Sequence, residues 1–398
     1  MSDLDGRQGT DHRVDTADDR SLMMSRGEID MDQWHRLDPL QRSTADKLDA
    51  LTPPSIPALS TERVPFASDP YPALSRLAST PQLQSIGGRL ISMDPDLPDI
   101  LPHDNAELSR LNFQHHLLYM ALKGHYIAPL GEPSAQPRFF LDAGCGTGTW
   151  CQAMAQCFPD AAVFGIDAFD TGGTNRRYLF RRSNLLDADD TTLRQLTPGT
   201  FDYVHLRDLA LAIPGTRSGA VIERLTRLLC SSGWMEWVEF SIPVCNYQSR
   251  QLDMLHPIRI LGEWVSAAAS TDRGLVTNLI TSLAVSMQRA GLIVTTVLEK
   301  PLPLGAEIAA ANPEFYHPHY GIQAKRIGRL ALANWMERMV ALRPAILALR
   351  MRDCTPQIFD QTLNSVPSTL TAYAQRGGNY YWPVLAICAQ KPKNEEGD

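Results

Sequence analysis

The 398-residue sequence has no C-x-x-C pair, no internal repeat, no surplus of basic residues and no long uninterrupted apolar stretch. Each absence removes a class of reading. Seven cysteines, at 145, 151, 157, 230, 245, 354 and 388, are odd in number and lie mostly in apolar stretches. That usage predicts reduced intracellular thiols, with no structural zinc expected. With 44 acidic against 37 basic residues the net charge is -7, so no global attraction draws the chain to nucleic acid or to an anionic membrane. The most hydrophobic late stretch, 330–351, contains Glu337, Arg338 and Arg343, charges that a spanning helix would have to place in hydrocarbon. The first twenty residues lack a basic start followed by an apolar stretch, so neither a signal peptide nor a presequence is expected. The expected location is cytoplasmic or nuclear.

Aromatics are scarce at the N-terminal end. Residues 1–60 are polar and Asp-rich, with Trp34 their one aromatic residue, too little apolar surface to offset the entropy of ordering them. A disordered arm is expected there, followed over 61–104 by a proline-rich, semi-extended lead-in with one short helix. The last residues, 393–398, read as a disordered tail.

What the sequence does have is alternation. Leu108, Leu111, Leu118 and Ala121 mark a helix over 105–123. Short runs rich in Val, Ile and Phe then follow at 139–141, 162–166, 178–180, 203–206 and 234–240, with room for crossover helices at 149–158 and 218–229. That order predicts an α/β fold, a Rossmann-like doubly wound sheet over 105–392 whose ligand site lies beyond the carboxyl ends of the strands. Helical insertions are expected at about 251–290 and 306–370, with strands at 292–298 and 381–389.

The first of these strands runs into Asp142-Ala-Gly144-Cys-Gly146-Thr-Gly148 and then into a helix. Glycines at 144, 146 and 148 allow a tight turn and the close approach of a ligand that any Cβ would block. A dinucleotide fingerprint would place its third glycine at 149, which is Thr149, and would not normally end the strand in an acid. An acid at Asp142 suits a ligand carrying an ammonium group, which points to S-adenosyl-L-methionine as the cofactor. The second strand ends at Asp167, where a carboxylate can accept both ribose hydroxyls. Asn184 or Asp187, after the third strand, could contact the adenine amino group.

Methyl transfer from an activated sulfonium needs mainly positioning. If the acceptor is a hydroxyl, a base should stand at the carboxyl end of a central strand, and His205 is the candidate, with Arg207 beside it. Glu236 and Glu239 should face opposite sides of their strand, one toward substrate. Trp264, Trp335 and Trp382 are candidates for an aromatic acceptor pocket, or for core. His317 and His319 read as a solvent-facing loop, and no metal is expected.

The segment Glu107-Leu-Ser-Arg110-Leu-Asn-Phe-Gln114-His115-His116 resembles the pattern that precedes the glycine loop in the fungal LaeA-like class I methyltransferases. The similarity continues through Phe201 to Arg207, Gly233 to Glu236, Pro301 to Gly305, Tyr381 to Pro383 and Gln390 to Pro392. It departs from the family over 306–323, and carries Asn184 where many relatives have an acid. The resemblance implies a seven-stranded methyltransferase sheet with helical N-terminal and C-terminal additions forming a lid, and places Gln114 or His115 at the cofactor pocket. It also implies one of two roles: a methyltransferase acting on a small molecule of secondary metabolism, or a regulator working with velvet-type protein partners.

Overall fold

The computed structural model describes residues 82–130, 137–171, 176–242, 244–246, 256–270, 274–275 and 280–393. The arm expected over 1–60, the lead-in as far as residue 81 and the tail beyond 393 lie outside them. Where the lead-in becomes visible it is a hairpin, not a helix. Strands β1 (Leu83–Ile86) and β2 (Arg89–Ser92) are joined by Gly87 and Gly88 at φ +59° and +80°, the pair of positive angles that a tight hairpin turn requires. Arg89 grips Asp104 with two bonds of 2.7 and 2.9 Å. Asp104 in turn caps helix α1 (Asn105–Leu122) by accepting from the Glu107 N–H at 3.1 Å.

Behind α1 the alternation resolves into one sheet. Its strands are β3 (Phe139–Ala143), β4 (Ala162–Asp167), β5 (Leu179–Arg182), β6 (Phe201–Arg207), β7 (Leu229–Phe240), β8 (Cys245–Asn246), β9 (Ile293–Pro303) and β10 (Tyr380–Gln390). The order is β5-β4-β3-β6-β7-β10, with β9 and the two-residue β8 both paired to β10. Strands β3 to β7 run parallel, and β10 runs against both β7 and β9. The seven expected strands are present, and β8 is a short eighth. Strand β9 extends past the expected 292–298 and tolerates Pro301 and Pro303 because, among the described residues, it pairs on one side alone.

Both faces are covered. Phe139 and Leu141 point into one apolar layer, beneath α4 (Gly215–Leu228) and α6 (Ile280–Arg289), while Phe140 points into the other, beneath α2 (Thr149–Cys157). The remaining helices are α3 (Thr191–Gln195), α5 (His256–Ser270), α7 (Ala306–Ala311), α8 (Pro313–Tyr320), α9 (Ala324–Ala348) and α10 (Pro356–Ala374). Helix α9 packs against α1, α5, α7 and β9, which ties the C-terminal helices to the N-terminal one. The helical stretch expected over about 306–370 is four helices, α7 to α10, the last two divided where Thr355 accepts from the Ile358 N–H and Pro356 opens α10. His317 and His319 lie on α8, not in a loop. Trp264, Trp335 and Trp382 are buried in packing, Trp382 against Phe240 with ring centroids 4.3 Å apart. Among the described residues, no helix is long and apolar enough to cross a membrane.

Candidate cofactor and active site

In this sheet the direction of winding reverses between β3 and β6, so a crevice opens beyond their carboxyl ends. The glycine loop sits at that point. Its first residues are held by the neighbouring strand, Gly144 N–H and Cys145 N–H both donating to the Ile166 carbonyl at 2.8 and 3.0 Å. Gly144, Gly146 and Gly148 all have positive φ, at +79°, +53° and +72°. Their surroundings differ sharply. A Cβ at Gly148 would lie 1.8 Å from the Tyr178 hydroxyl, whereas one at Gly146 would meet nothing nearer than a Leu111 methyl at 3.8 Å. Gly148 is thus required by packing, and Gly146 leaves open space on the side facing the crevice.

That space is part of a cavity of about 290 Å³, near the lower end of the ~300–1,000 Å³ typical of small-molecule sites. Of the residues predicted to hold a cofactor, Gln114, Gly144, Gly146, Asp167 and Asn184 line it together. Asp167 accepts from the Gly146 N–H at 2.8 Å and the Phe169 N–H at 2.9 Å, and burial raises its pKa. Asn184 forms a local turn, accepting from the Leu186 N–H at 2.9 Å. Asp187 is exposed and outside the wall, spent on the Asp189 N–H. Of the two adenine candidates, the structure brings only Asn184 to the cavity.

Behind the loop the expectations change. Asp142 and His205 are adjacent in register on β3 and β6 and almost fully buried, and neither lines the cavity. His205 Nδ1 donates to Asp142 Oδ1 at 2.8 Å, and its ring lies flat on Trp150 with centroids 4.1 Å apart. His205 therefore lies off the wall of the main cavity, beside a separate void of about 10 Å³ that it shares with His115, Trp150 and Arg207. Asp142 likewise turns away from the crevice to the imidazole and the Cys151 thiol, so it presents no carboxylate to a ligand's ammonium group. The helix α1 pair splits as adjacent helical residues must. Gln114 faces the cavity, while His115 Nδ1 accepts from Arg207 at 3.0 Å. Glu236 and Glu239 are both structural: Glu236 accepts from the Ile127 and Ala128 N–H groups, Glu239 from those of Leu209 and Ala210. Burial pushes Glu239 up to about 8.

Sequence reasoning missed three parts of the wall. Asp208, the residue after β6, takes φ +54° and collects Arg338 at 2.8 Å to each oxygen and Gln114 Nε2 at 2.8 Å. Although burial opposes it, Arg338 and Arg110 hold its carboxyl down at about 2. Arg110 also pairs with Glu107 at 2.6 Å, so α1, the end of β6 and α9 are locked together at the cavity edge. Asp99 and His103, in the segment after the hairpin, also line the cavity, 3.7 Å apart. Burial raises Asp99 to about 7 and lowers His103 to about 4. The third part is Phe169, in the wall beside Asp167, which stacks on His103 with ring centroids 3.6 Å apart. The end-of-strand rule that picked Arg207 could have found Asp208; the 99–103 segment carries no comparable signal. Among the described residues, no three His, Cys, Asp or Glu side chains gather as metal ligands.

Sheet order, glycine loop and the acid after the second strand define a Rossmann-like methyltransferase fold. The family model for a methyltransferase domain matches residues 113–297. Methyltransferase str3 of Strobilurus tenacellus is 30% identical over 140 residues, 35% of this chain and 47% of that protein. The secondary metabolism regulator LAE1 of Cochliobolus heterostrophus is 30% identical over 172 residues, 41% and 51% of the two chains. A protein-methionine methyltransferase, laeA of Emericella nidulans, is 39% identical over 67 residues, 17% of each. The chain thus spans about half the length of the first two relatives or less. Over residues 113–297 the chain is thus similar to methyltransferase domains, and part of it is similar to proteins named for LaeA.

Proposed function

We propose that the chain is an S-adenosylmethionine-dependent methyltransferase whose acceptor is a small molecule of fungal secondary metabolism. The observation that carries this reading is the cradle at Gly146: open space above a backbone N–H that is already bonded to the half-buried carboxylate of Asp167. In the proposed complex Asp167 accepts the ribose hydroxyls and Asn184 meets the adenine edge. Carboxyls of Asp99 and Asp167 in one wall suit a ligand carrying a sulfonium and an ammonium group, whereas Asp208 in the same wall is already matched by Arg338. The cofactor, when bound, supplies a methyl group activated by positive sulfur, so the chain's own contribution is chiefly orientation. Gln114 and Asp208, fixed by Arg110 and Arg338, give the reacting end a rigid edge. The lid role of the C-terminal helices belongs to the same proposal, supported by the contact of α9 with α1.

Calorimetric titration with S-adenosylmethionine and S-adenosylhomocysteine tests it. Micromolar binding is expected in the wild type, and Asp167→Ala should weaken it by about 10- to 100-fold, the equivalent of one or two charged hydrogen bonds. Absence of binding in the wild type would overturn the reading, as would a purified protein that binds the cofactor yet methylates nothing in extracts of the producing strain. A second reading, a regulator of secondary metabolism, is favoured by the name of the Cochliobolus heterostrophus relative, with velvet-type partners implied only by the family resemblance. Deletion of the gene separates the two: loss of one methylated compound supports the enzyme, and simultaneous changes across many metabolites support the regulator.

A further inference from the structure

A second concave surface lies between α4, α6 and the residue that follows β10, with a volume of about 680 Å³. Arg217, Arg224 and Arg227 are spaced at seven and three residues on α4, which puts them on one helix face. Arg289 closes α6 beside them, and Lys391 completes the set. Two of the five cations are engaged. Lys391 donates to the Thr226 and Leu229 carbonyls at 3.1 and 2.7 Å, and Arg224 to those of Leu185 and Asp187. Arg217, Arg227 and Arg289 are exposed and form no ion pair with a described residue. Glu223 is the one carboxylate in the lining, and Asp187 and Asp190 act on Arg224 from beyond it, so cations outnumber anions here in a chain of net charge -7. Alanines 188, 220 and 290 supply apolar floor between them.

We propose that this groove docks an acidic segment of a partner protein, with carboxylates on Arg217, Arg227 and Arg289 and small apolar side chains on the alanine floor. Guanidinium groups match carboxylates in bidentate geometry, and the apolar floor suits a peptide better than a sugar-phosphate backbone. The acidic remainder of the chain repels a long polyanion but tolerates a short acidic segment. The groove also adjoins the cofactor site: Leu186 lines both, and Arg224 holds the carbonyls on either side of it. A docked partner therefore touches the loop that presents Asn184. This surface stands independently of the methyltransferase reading.

The test is fluorescence anisotropy of the full chain with a labelled synthetic peptide of repeating Glu-Glu-Leu, set against a single-stranded DNA oligonucleotide of equal charge. The peptide should bind more tightly than the DNA, and R217E/R227E/R289E should weaken it at least ~10-fold, with an unchanged melting temperature. Equal peptide affinity in wild type and variant would overturn the proposal, as would tighter binding of the DNA. Should the triple reversal lower the melting temperature, R217A/R227A/R289A decides: weakened binding supports the groove and unchanged binding overturns it.

Discussion

On one side of residues 144–148 lies a cavity walled by Gly146, Asp167, Asn184 and Asp208; on the other, Asp142, His205 and Trp150 form a sealed stack. Each side has a carboxylate and a histidine, Asp167 and His103 on the cavity side, Asp142 and His205 on the other. On the cavity side the polar groups have capacity left for a ligand, as Asp167 does, holding only backbone N–H groups among its described bonds. On the sealed side both Asp142 oxygens are bonded, to His205 and to the Cys151 thiol, and the space beside the His205 ring is a void of only about 10 Å³. Chemistry and scaffolding are thus separated by one loop's thickness, and which side a residue faces decides its work.

Substitutions should therefore sort by side. The largest effect is expected behind the loop: His205→Ala leaves the Asp142 carboxylate buried without its strongest donor, costing about 3–5 kcal/mol in denaturant unfolding. The remaining folded protein should keep near wild-type affinity for S-adenosylhomocysteine. Gly148→Ala is next, combining a left-handed backbone with collision against Tyr178, at about 2–5 kcal/mol by the same measurement. Gly146→Ala inverts the pattern. Its stability loss should stop at the backbone strain of about 1–2 kcal/mol, yet titration should find cofactor binding abolished by the methyl group in the cradle.

The smallest effect concerns pH. Burial holds Asp99 near 7, with the carboxyls of Glu107, Asp167 and Asp208 adding to the rise and His103 facing it as a neutral ring. An ionised Asp99 favours a cationic ligand and a neutral one does not. S-adenosylmethionine affinity relative to S-adenosylhomocysteine should therefore increase as pH rises through about 7, by about tenfold at most. Asp99→Asn should flatten that dependence. The opposite sign would place the sulfonium away from Asp99.

Legibility followed locality. The succession of strands and helices, the glycine loop and the place of Asp167 at a strand end could be read because each is a contiguous signal: an apolar run, a spacing, an acid at a strand end. Side-chain direction was harder. His205 and Asp142 occupy the right strand ends, but β6 and β3 turn both toward α2, where Trp150 covers the ring. Asp208 and Arg338 are 130 residues apart, and no local pattern announces that they meet at 2.8 Å. Asp99 and His103 were hidden differently, inside a proline-rich lead-in whose Gly87-Gly88 turn was the one sign that it folds back. The split of the late helix, by contrast, was marked by Thr355-Pro356.

The most direct test of this two-sided account is a crystal structure grown with S-adenosylhomocysteine. The account predicts ribose hydroxyls within about 3 Å of the Asp167 carboxylate and the His205–Asp142–Trp150 stack intact, with no ligand atom against it. Ligand sulfur or adenine seated against His205, with Trp150 displaced, would contradict it.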